Sequence, residues 1–320
     1  KKRNMRNVEA WKNWVKIQAA VLSAALVLGP GTAAGAQPWT MENGQYVDAS
    51  GQPVVGALEK GMTVTKYQNR ASQSAGGIDW AKVAADGISF AMVRIGYLND
   101  MDPYYTSNME GASTNGIKTG VFFYTQALNP DQAREEAEYV LKMVKDYPVS
   151  YPIAYDVESQ YLLDNGLTKD QITDNIIAFC ETISEAGYRP VVYANHNWLT
   201  NYIDQTRMPY DIWYARYGSI NNCQNRTIWQ CTDEGQVDGI GGNVTIEFSF
   251  ADYSTLIPGE GWKKIDGNWY YTKDYRKQTG WVLVGDKWYY LDSNGIMIHD
   301  TTMDIEGVSC TFGPDGAWVS

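Results

Sequence analysis

From residue 61 onward, short apolar runs alternate with longer amphipathic segments along the chain. Each apolar run has the length of a single strand and is bounded by polar or turn-forming residues. The pattern predicts strands at Met62–Thr65, Phe90–Ile95, Lys118–Tyr124, Ile153–Val157, Pro190–Ala194, Asp211–Ala215, Thr227–Cys231 and Val244–Phe250.

Two of the segments between these strands carry clear helical signals. Asp131–Asp146 has acids early and lysines late, as the helix dipole favours. Thr168–Ala186 begins with a Thr-x-x-Gln capping box and ends before Gly187. Alternating strands and helices predict an α/β fold, and about eight strands within residues 61–256 favour a (β/α) TIM-like barrel. The spacing leaves little room for a full helix after every strand, so we expect irregular crossovers.

Residues 257–320 have a different pattern and are predicted to form a small, separate module of β-hairpin repeats. Two tryptophans and a tyrosine recur after 19 residues, as Trp262, Trp269, Tyr271 and then Trp281, Trp288, Tyr290. We expect hairpin turns between aromatic strands at Asp266-Gly267 and Asn294-Gly295. Because such hairpins cannot bury their rings alone, they should stack on one another.

The repeat also has weaker copies on both sides. Residues 312–316 indicate a third, degenerate unit, and residues 46–51 resemble residues 290–295. We therefore interpret residues 37–60 as a linker that contains part of the same repeat.

The N-terminal residues 1–36 have the parts of a secretory signal peptide: a basic start, a short apolar core and an Ala-Gly-Ala site. The apolar core is too short for a membrane span, so we expect no stable span once the signal is removed. The protein is therefore predicted to be secreted. Exported proteins can form disulfides, and Cys223 with Cys231 is the favoured pair.

Charge and composition exclude several classes of protein. The formal net charge is −11, which disfavours non-specific nucleic-acid binding by basic side chains. With two histidines and four cysteines, a histidine-rich or all-cysteine metal centre is not expected. We predict no metal and no cofactor. Carboxylates and aromatic residues are abundant, and together they indicate sugar chemistry.

The clearest candidate for chemistry is the pair Asp156 and Glu158, at the end of an apolar strand. Side chains two residues apart on a strand point to the same side, and catalytic groups in a barrel gather at the carboxyl ends of strands. Repulsion between two close carboxylates should raise the pKa of one, which would keep it protonated as a general acid. A solvated strand end is the alternative interpretation of the motif alone.

Several motifs together resemble the glycoside hydrolase family 25 muramidases. They occur in the family's order at residues 77–80, 90–94, 120–124, 154–158, 187–190, 213–217 and 229–230. The resemblance implies a (β/α) barrel that cleaves the β-1,4 bond between N-acetylmuramic acid and N-acetylglucosamine, so that peptidoglycan glycan strands are the expected partner. It implies Glu158 as the general acid and Asp156 as its adjacent carboxylate.

Other residues are candidates for binding the sugar chain. Aromatic rings at or near the predicted strand ends can stack on sugar faces, and Arg94 can pair with an acid in the groove or on the muramyl group. Barrel packing is the alternative role for the aromatic residues. The substrate-binding candidates are Arg94, Tyr124, Tyr193, Tyr217, Trp229 and Glu247.

Two departures from the family pattern affect the expected mechanism. Thr63 and Thr245 stand where the family has aspartates in its first and last strands. Glu247 shares a strand side with Thr245 and can restore one carboxylate, although we favour a solvent-exposed position at the rim. Since an inverting enzyme needs a second carboxylate for water, the loss favours substrate-assisted cleavage, in which Asp156 orients the 2-acetamido group.

The C-terminal repeats resemble choline-binding-type cell-wall-binding repeats. In that family, aromatic residues of successive hairpins hold a quaternary ammonium by cation–π attraction. The resemblance implies a wall polymer as the ligand, with Trp262, Trp269, Tyr271, Trp281, Trp288 and Tyr290 as its binding residues. With the signal peptide, it implies a bacterial protein that is extracellular or wall-associated.

Two other functions stay open at this stage. The threonine replacements are compatible with a catalytically silent barrel that binds peptidoglycan. A hydrolase of another acetamido-sugar polymer, such as chitin, would keep the mechanism and change the substrate.

Overall fold

The computed structural model of the protein describes residues 39–48, 53–98, 100–217 and 226–320. The predicted signal peptide lies outside these residues, and so does Cys223. An N-terminal hairpin consists of β1 (Trp39–Glu42) and β2 (Gln45–Asp48). The next nine strands are β3 (Glu59–Val64), β4 (Phe90–Tyr97), β5 (Asp100–Met101), β6 (Lys118–Tyr124), β7 (Val149–Asp156), β8 (Pro190–Asn195), β9 (Asp211–Ala215), β10 (Arg226–Gly235) and β11 (Val244–Ser249).

Strands β3, β4 and β6 to β11 form a closed eight-stranded barrel, with β5 paired to the edge of β4. Every barrel strand overlaps a predicted one, so the barrel prediction is confirmed. Helices cover the barrel's outer side, at α1 (Lys66–Ala71), α2 (Trp80–Ala85), α3 (Tyr105–Thr114), α4 (Pro130–Val144), α5 (Gln160–Asp164), α6 (Lys169–Glu185), α7 (His196–Asn201) and α8 (Tyr253–Leu256).

The predicted capping box forms at the start of α6. The Thr168 side chain accepts from the Gln171 backbone, and the Gln171 side chain accepts from the backbone of Thr168. Both ends of this helix therefore follow from local sequence. The short helices α1, α5 and α7 are the irregular crossovers that the strand spacing predicts.

The last barrel strand departs from the all-parallel strands of a regular (β/α) barrel. Strand β11 runs antiparallel to both of its neighbours, β10 and β3. A parallel connection needs a dozen or more residues, and only residues 236–243 join β10 to β11. The short connection therefore imposes a hairpin. No helix crosses over this sector of the barrel among residues 236–243.

The N-terminal hairpin, β1 with β2, packs against this sector. The Tyr46 ring contacts the Phe248 ring on the outer side of β11, with centroids 5.1 Å apart. Past the hairpin, Pro53 forms an isolated bridge with Val47. The hairpin thus lies by the start of β3, at the amino-terminal end of the parallel strands.

The C-terminal residues form three further hairpins. Their strands are β12 (Gly261–Ile265), β13 (Asn268–Lys273), β14 (Arg276–Lys277), β15 (Gly280–Val284), β16 (Lys287–Leu291), β17 (Thr301–Ile305) and β18 (Val308–Phe312). Isolated bridges join Leu291 to Met297 and Phe312 to Trp318, with the same six-residue spacing as Val47 to Pro53. The predicted third unit is therefore a hairpin of the same design.

One predicted turn has a different place in the repeat. Asp266-Gly267 is a hairpin turn, with both residues at positive φ, as predicted. Asn294-Gly295 is not a turn between paired aromatic strands, because it lies past β16, in the turn that leads to Met297. The second hairpin turns instead at Gly285, where φ is +63°. The dipeptide signal identifies a turn but not which turn of the repeat it makes.

The first C-terminal hairpin is fixed to the barrel by the loop before β8. The Lys264 backbone donates to the Ala186 carbonyl over 3.2 Å. Lys263 is buried, donates its ammonium to the Gly187 carbonyl, and lies over the Tyr188 ring. Gly187 has φ of +86°, and an added Cβ would lie 2.9 Å from the Trp262 carbonyl oxygen. The joint therefore depends on glycine at this position.

Of the favoured disulfide pair, the structure describes Cys231 alone, because Cys223 lies outside the described residues. Cys231 is a free, buried thiol that donates to the Ile246 carbonyl over 3.2 Å. Its side chain lies on the outer side of β10, inside the packed core. Across the described ranges, no helix has both the length and the apolar character needed to cross a membrane.

Candidate active site

The candidate site is a cleft at the carboxyl ends of the parallel strands, with a volume of about 470 Å³. Strand pairing aligns four of its side chains at one level, since Tyr124 pairs with Asp156, Asp156 with Tyr193, and Tyr193 with Trp213. The cleft is lined by Thr63, Thr65, Tyr67, Gln68, Arg94, Phe122, Tyr124, Asp156, Glu158, Tyr193, Asn195, Trp213, Ala215, Tyr217, Gln230 and Thr245.

Asp156 and Glu158 both line this cleft, and their pKa values are both raised. Burial raises the pKa of Glu158 to about 7. Burial raises the pKa of Asp156 well above its usual range, the Glu158 charge raises it further, and Arg94 opposes both. Asp156 Oδ1 has no hydrogen-bond partner among the described residues. The site therefore combines two acids whose neutral forms are favoured by burial with a buried acceptor oxygen that has no partner among the described residues.

Asn195 holds the Glu158 carboxylate, and the sequence analysis missed this role. Its Nδ2 donates to Glu158 Oε2 over 2.7 Å, while its Oδ1 accepts from the Trp198 backbone and caps α7. The cap fixes the amide, so the Nδ2 group must face Glu158. An asparagine at the start of a helix that follows a barrel strand was the available signal.

Arg94 supplies positive charge to the cleft from β4, two strands away from the β7 strand of Asp156. The residue is 8% exposed and lines the cleft, and its Nη1 lies 4.0 Å from Asp102 Oδ2. Asp102 is held by the backbone of Lys66 and Tyr104. The guanidinium is thus fixed by the β4–α3 connection and close enough to lower the Asp156 pKa.

Thr63 and Thr245 meet at the floor of the cleft. The Thr63 backbone donates to Thr245 Oγ1 over 3.3 Å. The Thr63 hydroxyl donates to Glu247 Oε1 over 2.7 Å. Neither threonine carries charge, so the nearest carboxylate at this floor belongs to Glu247.

The expectation that Glu247 is a solvent-exposed rim residue is wrong. Its side chain is fully buried and lies beneath the cleft rather than among the residues that line it. Burial raises the pKa of Glu247 to about 7, against hydrogen bonds from Thr63 and Gln230 that lower it. The alternation of side chains along β11 correctly predicts that Glu247 points into the barrel, but it does not predict how deep the side chain lies.

Trp229 also lies elsewhere than its role as a sugar-binding candidate requires. It is 2% exposed, donates Nε1 to the Arg216 carbonyl over 2.9 Å, and packs near Phe248 on the outer side of the barrel. Consecutive residues of a strand face opposite ways, so the neighbour Gln230 is the one that enters the cleft. Sequence reasoning missed Gln230 for this reason.

Of the remaining candidates, Tyr124, Tyr193 and Tyr217 all line the cleft. The hydroxyls of Tyr193 and Tyr217 donate to Gln230 Oε1, over 3.0 Å and 3.1 Å. Tyr217 is 46% exposed, and its ring is open to a ligand at the cleft's edge.

The hairpin aromatic residues form two clusters, each between successive hairpins. In the first, Trp262 contacts Tyr271 in its own hairpin and Tyr289 in the next, with centroids 4.9 Å and 5.0 Å away. Within that hairpin, Trp269 lies edge-on to Trp262 and under the Lys264 ammonium. Tyr289 was not among the candidates because it sits on the opposite side of β16 from Trp288 and Tyr290.

The second cluster lies between the second and third hairpins. Trp281 contacts Trp288, Tyr290, Phe312 and Trp318, with centroids 5.2 to 6.4 Å apart. Trp281, Trp288 and Trp318 are each about 40% exposed. The predicted stacking of hairpins is therefore confirmed, and this cluster presents open tryptophan faces to solvent.

A closed α/β barrel with paired acids in an aromatic cleft, followed by aromatic hairpins, defines the chain as a glycoside-hydrolase type of protein. Residues 65–240 match the glycosyl hydrolases family 25, and residues 260–274 and 279–297 match a putative cell wall binding repeat. Because the first match spans more than half of the chain, the protein belongs to glycosyl hydrolases family 25.

Two curated relatives are a little over a quarter identical to this chain across the region that aligns. The autolytic lysozyme of Clostridium acetobutylicum is 28% identical over 194 residues, covering 58% of this chain and 58% of that protein. The uncharacterized protein YegX of Escherichia coli K12 is 27% identical over 199 residues, covering 58% of this chain and 66% of that protein. The chain thus aligns with under two thirds of the length of each.

Solved structures share the fold at lower identity. The modular autolysin LytC of Streptococcus pneumoniae has a TM-score of 0.57 at 23% identity, covering 67% of this chain and 52% of that one. A family 25 glycosyl hydrolase of Bacillus anthracis has a TM-score of 0.54 at 18% identity, covering 70% and 98%. These two likenesses support the barrel architecture.

Proposed function

We propose that the protein is a secreted bacterial muramidase that hydrolyses the β-1,4 bond between N-acetylmuramic acid and N-acetylglucosamine in peptidoglycan. The observation that carries the proposal is the Asp156–Glu158 pair, which lines an aromatic cleft with a raised pKa on both acids. Family membership and the wall-binding repeats support the choice of substrate.

In the proposed reaction, Glu158 is the general acid. It gives its proton to the glycosidic oxygen as the bond from that oxygen to the anomeric carbon breaks. The carbonyl oxygen of the 2-acetamido group attacks the same carbon, which forms a cyclic oxazolinium intermediate. Water then attacks the anomeric carbon and gives a proton to the Glu158 carboxylate, so that the configuration is retained.

Asp156 is proposed to orient the acetamido group. Its Oδ1 is buried without a hydrogen-bond partner among the described residues, and an acetamido N–H bound beside it would satisfy this acceptor. In the empty cleft, burial and the nearby Glu158 disfavour the Asp156 charge. A donated N–H favours the ionised form of Asp156, and the resulting charge keeps the proton on Glu158. Substrate binding thereby places the proton that the two acids share on Glu158, the general acid.

The remaining parts are assigned as follows. We propose residues 1–36 as the signal peptide, 37–60 as a linker with a partial repeat, 61–256 as the catalytic barrel and 257–320 as the wall-binding module. The matching hairpin-and-bridge geometry at Val47 and Pro53 supports the partial repeat. We propose that the two ring clusters bind a wall polymer and keep the enzyme at the wall.

The test is the loss of turbidity of a peptidoglycan suspension, with E158Q as the matched variant. Glutamine keeps the shape and can still meet Asn195, but it cannot give a proton. We expect E158Q to be at least about 100-fold slower. Full activity in E158Q would contradict the assignment. Mass analysis after reduction should find N-acetylmuramic acid at the new reducing ends, whereas chitin-derived products would identify the other acetamido-sugar hydrolase.

A second function, a silent peptidoglycan-binding barrel, is favoured by one observation. Thr63 and Thr245 leave the cleft floor without a carboxylate on its surface. Wild-type protein that sediments with peptidoglycan but leaves its turbidity unchanged would establish this function in place of hydrolysis.

A further inference from the structure

Glu247 is a carboxylate that the proposed reaction does not use, although it lies directly beneath the cleft. Its Oε1 accepts from the Thr63 hydroxyl over 2.7 Å and from Gln230 Nε2 over 3.0 Å. Both donors line the cleft, whereas Glu247 itself is fully buried. It is therefore placed to act on a ligand only through its neighbours.

The carboxylate fixes the orientation of the Gln230 amide. Oε1 already accepts from the Thr63 hydroxyl, so it is an acceptor whether or not the other oxygen of Glu247 carries a proton, and the amide must present its NH₂ group to it. The reverse orientation would bring two acceptor oxygens together at 3.0 Å, the present distance from Gln230 Nε2 to Glu247 Oε1. Gln230 Oε1 consequently faces the two tyrosines of the cleft wall.

This orientation fixes the polarity of the tyrosine hydroxyls. Tyr193 and Tyr217 both donate to Gln230 Oε1. A hydroxyl has one proton to give, and its lone pairs stay available. With their protons directed at Gln230, both hydroxyls present acceptor oxygens to a bound ligand.

We propose that Glu247 is a positioning residue that makes the wall formed by Tyr193 and Tyr217 an acceptor surface, selective for sugar units that present hydroxyl or amide N–H donors there. The proposal rests on the proposed function in one respect, that the ligand is a glycan. It adds which chemical groups of the glycan this wall recognises and which buried residue sets that preference.

The kinetic test compares E247Q, Y217F and the double variant on a soluble peptidoglycan tetrasaccharide. A glutamine at 247 can present either an oxygen or an NH₂ group to Gln230, so the amide is no longer fixed. We expect KM to rise about tenfold in E247Q while kcat changes less than threefold. Since Glu247 acts through the tyrosines, adding Y217F to E247Q should raise KM less than Y217F does in the wild-type background. Additive effects, or a loss of kcat at unchanged KM, would overturn the proposal.

E136Q is the matched control for removing a buried acid. Glu136 is as buried as Glu247 and accepts from the Thr125 and Tyr155 hydroxyls, but it lies between α4 and the barrel, away from the cleft. E136Q should leave KM unchanged. A tenfold rise in KM for E136Q as well would show that burial of the acid, rather than its position, causes the effect.

A measurement without ligand separates this proposal from the proposed function. In nitrogen-15 spectra, the Gln230 side-chain amide should give one set of slowly exchanging signals in the wild type and lose that protection in E247Q. Unchanged Gln230 signals in E247Q would refute the positioning role whatever the enzyme hydrolyses. If the wild type hydrolyses nothing, the Kd for the tetrasaccharide replaces KM with the same expected order of variants.

Discussion

The barrel cleft and the C-terminal hairpins both present tyrosine and tryptophan to solvent, but they assemble these surfaces over very different distances along the chain. The cleft joins Thr63 to Thr245 and needs the whole barrel to close before any of its residues meet. Each hairpin cluster joins residues of neighbouring repeats, such as Trp262 and Tyr289. Recognition in the cleft therefore depends on global folding, whereas recognition by the hairpins depends only on adjacent units.

The two regions also differ in charge. The cleft places Asp156 and Glu158 among its rings, and each has a raised pKa caused first by burial. The second hairpin cluster consists of rings alone, around Trp281. This difference suggests a division of work in which the cleft performs chemistry and the hairpins provide retention. Variants in one region should leave the other unaffected.

The largest expected effect tests the cleft. D156N removes the charge proposed to orient the acetamido group and should slow hydrolysis of a soluble glycan about 100-fold. Sedimentation with insoluble peptidoglycan should stay unchanged, because the hairpins are untouched. A parallel loss of sedimentation would show that the cleft also provides retention, which would break the proposed division.

The next effect is the pH dependence of hydrolysis. In the proposed reaction Glu158 must be protonated to act, and burial raises its pKa to about 7. With one essential proton at that pKa, the rate should fall about tenfold between pH 6 and pH 8. Retention by rings that carry no titrating group near neutrality should stay flat over the same range. A rate that rises through this interval would contradict the acid role.

A variant of the hairpins should show the reverse selectivity. W281A removes the ring at the centre of the second cluster and should weaken retention on peptidoglycan roughly fivefold to tenfold, in line with about 1 kcal/mol for an aromatic contact. Turnover of a soluble glycan should not change. V308A, at a 59% exposed position of the third hairpin, is the matched control and should retain full binding.

The smallest effect concerns stability. Burial raises the pKa of Glu136 to about 7 in the folded state, above its ordinary 4.5. The folded protein therefore holds this proton more tightly than the unfolded chain, and the resulting stability is lost as pH rises through about 7. The Tm of the wild type should fall by several °C from pH 5 to pH 8, and E136Q should flatten part of that fall. An identical slope in E136Q would assign the effect to other groups.

Much of the barrel was predictable from the sequence because its signals are local. Strand length and alternation gave all eight strands, and the capping box at Thr168 gave the start of α6. The same alternation placed Asp156 and Glu158 on one side of the strand end. The direction of β11 was predictable in principle from the short segment 236–243, but the overall alternation of strands and helices concealed it.

The rest depended on tertiary contacts that a single strand does not encode. Whether Trp229 or Gln230 faces inward is set by the barrel's closure, and the aromatic residue was the wrong choice. The depth of Glu247 depends on Thr63, 184 residues away in the sequence. Asn195 has a local cap signal, yet its contact with Glu158 requires β7 and β8 to be neighbours.

The contact between the first C-terminal hairpin and residues 186–188 fixes where the hairpins lie relative to the cleft. That loop precedes β8, and the carboxyl end of the same strand opens into the cleft. The attachment point of the hairpins and the cleft therefore lie at opposite ends of β8. If the hairpins hold one glycan strand, the cleft faces away from that strand. We then expect the enzyme to cleave a neighbouring strand of the peptidoglycan.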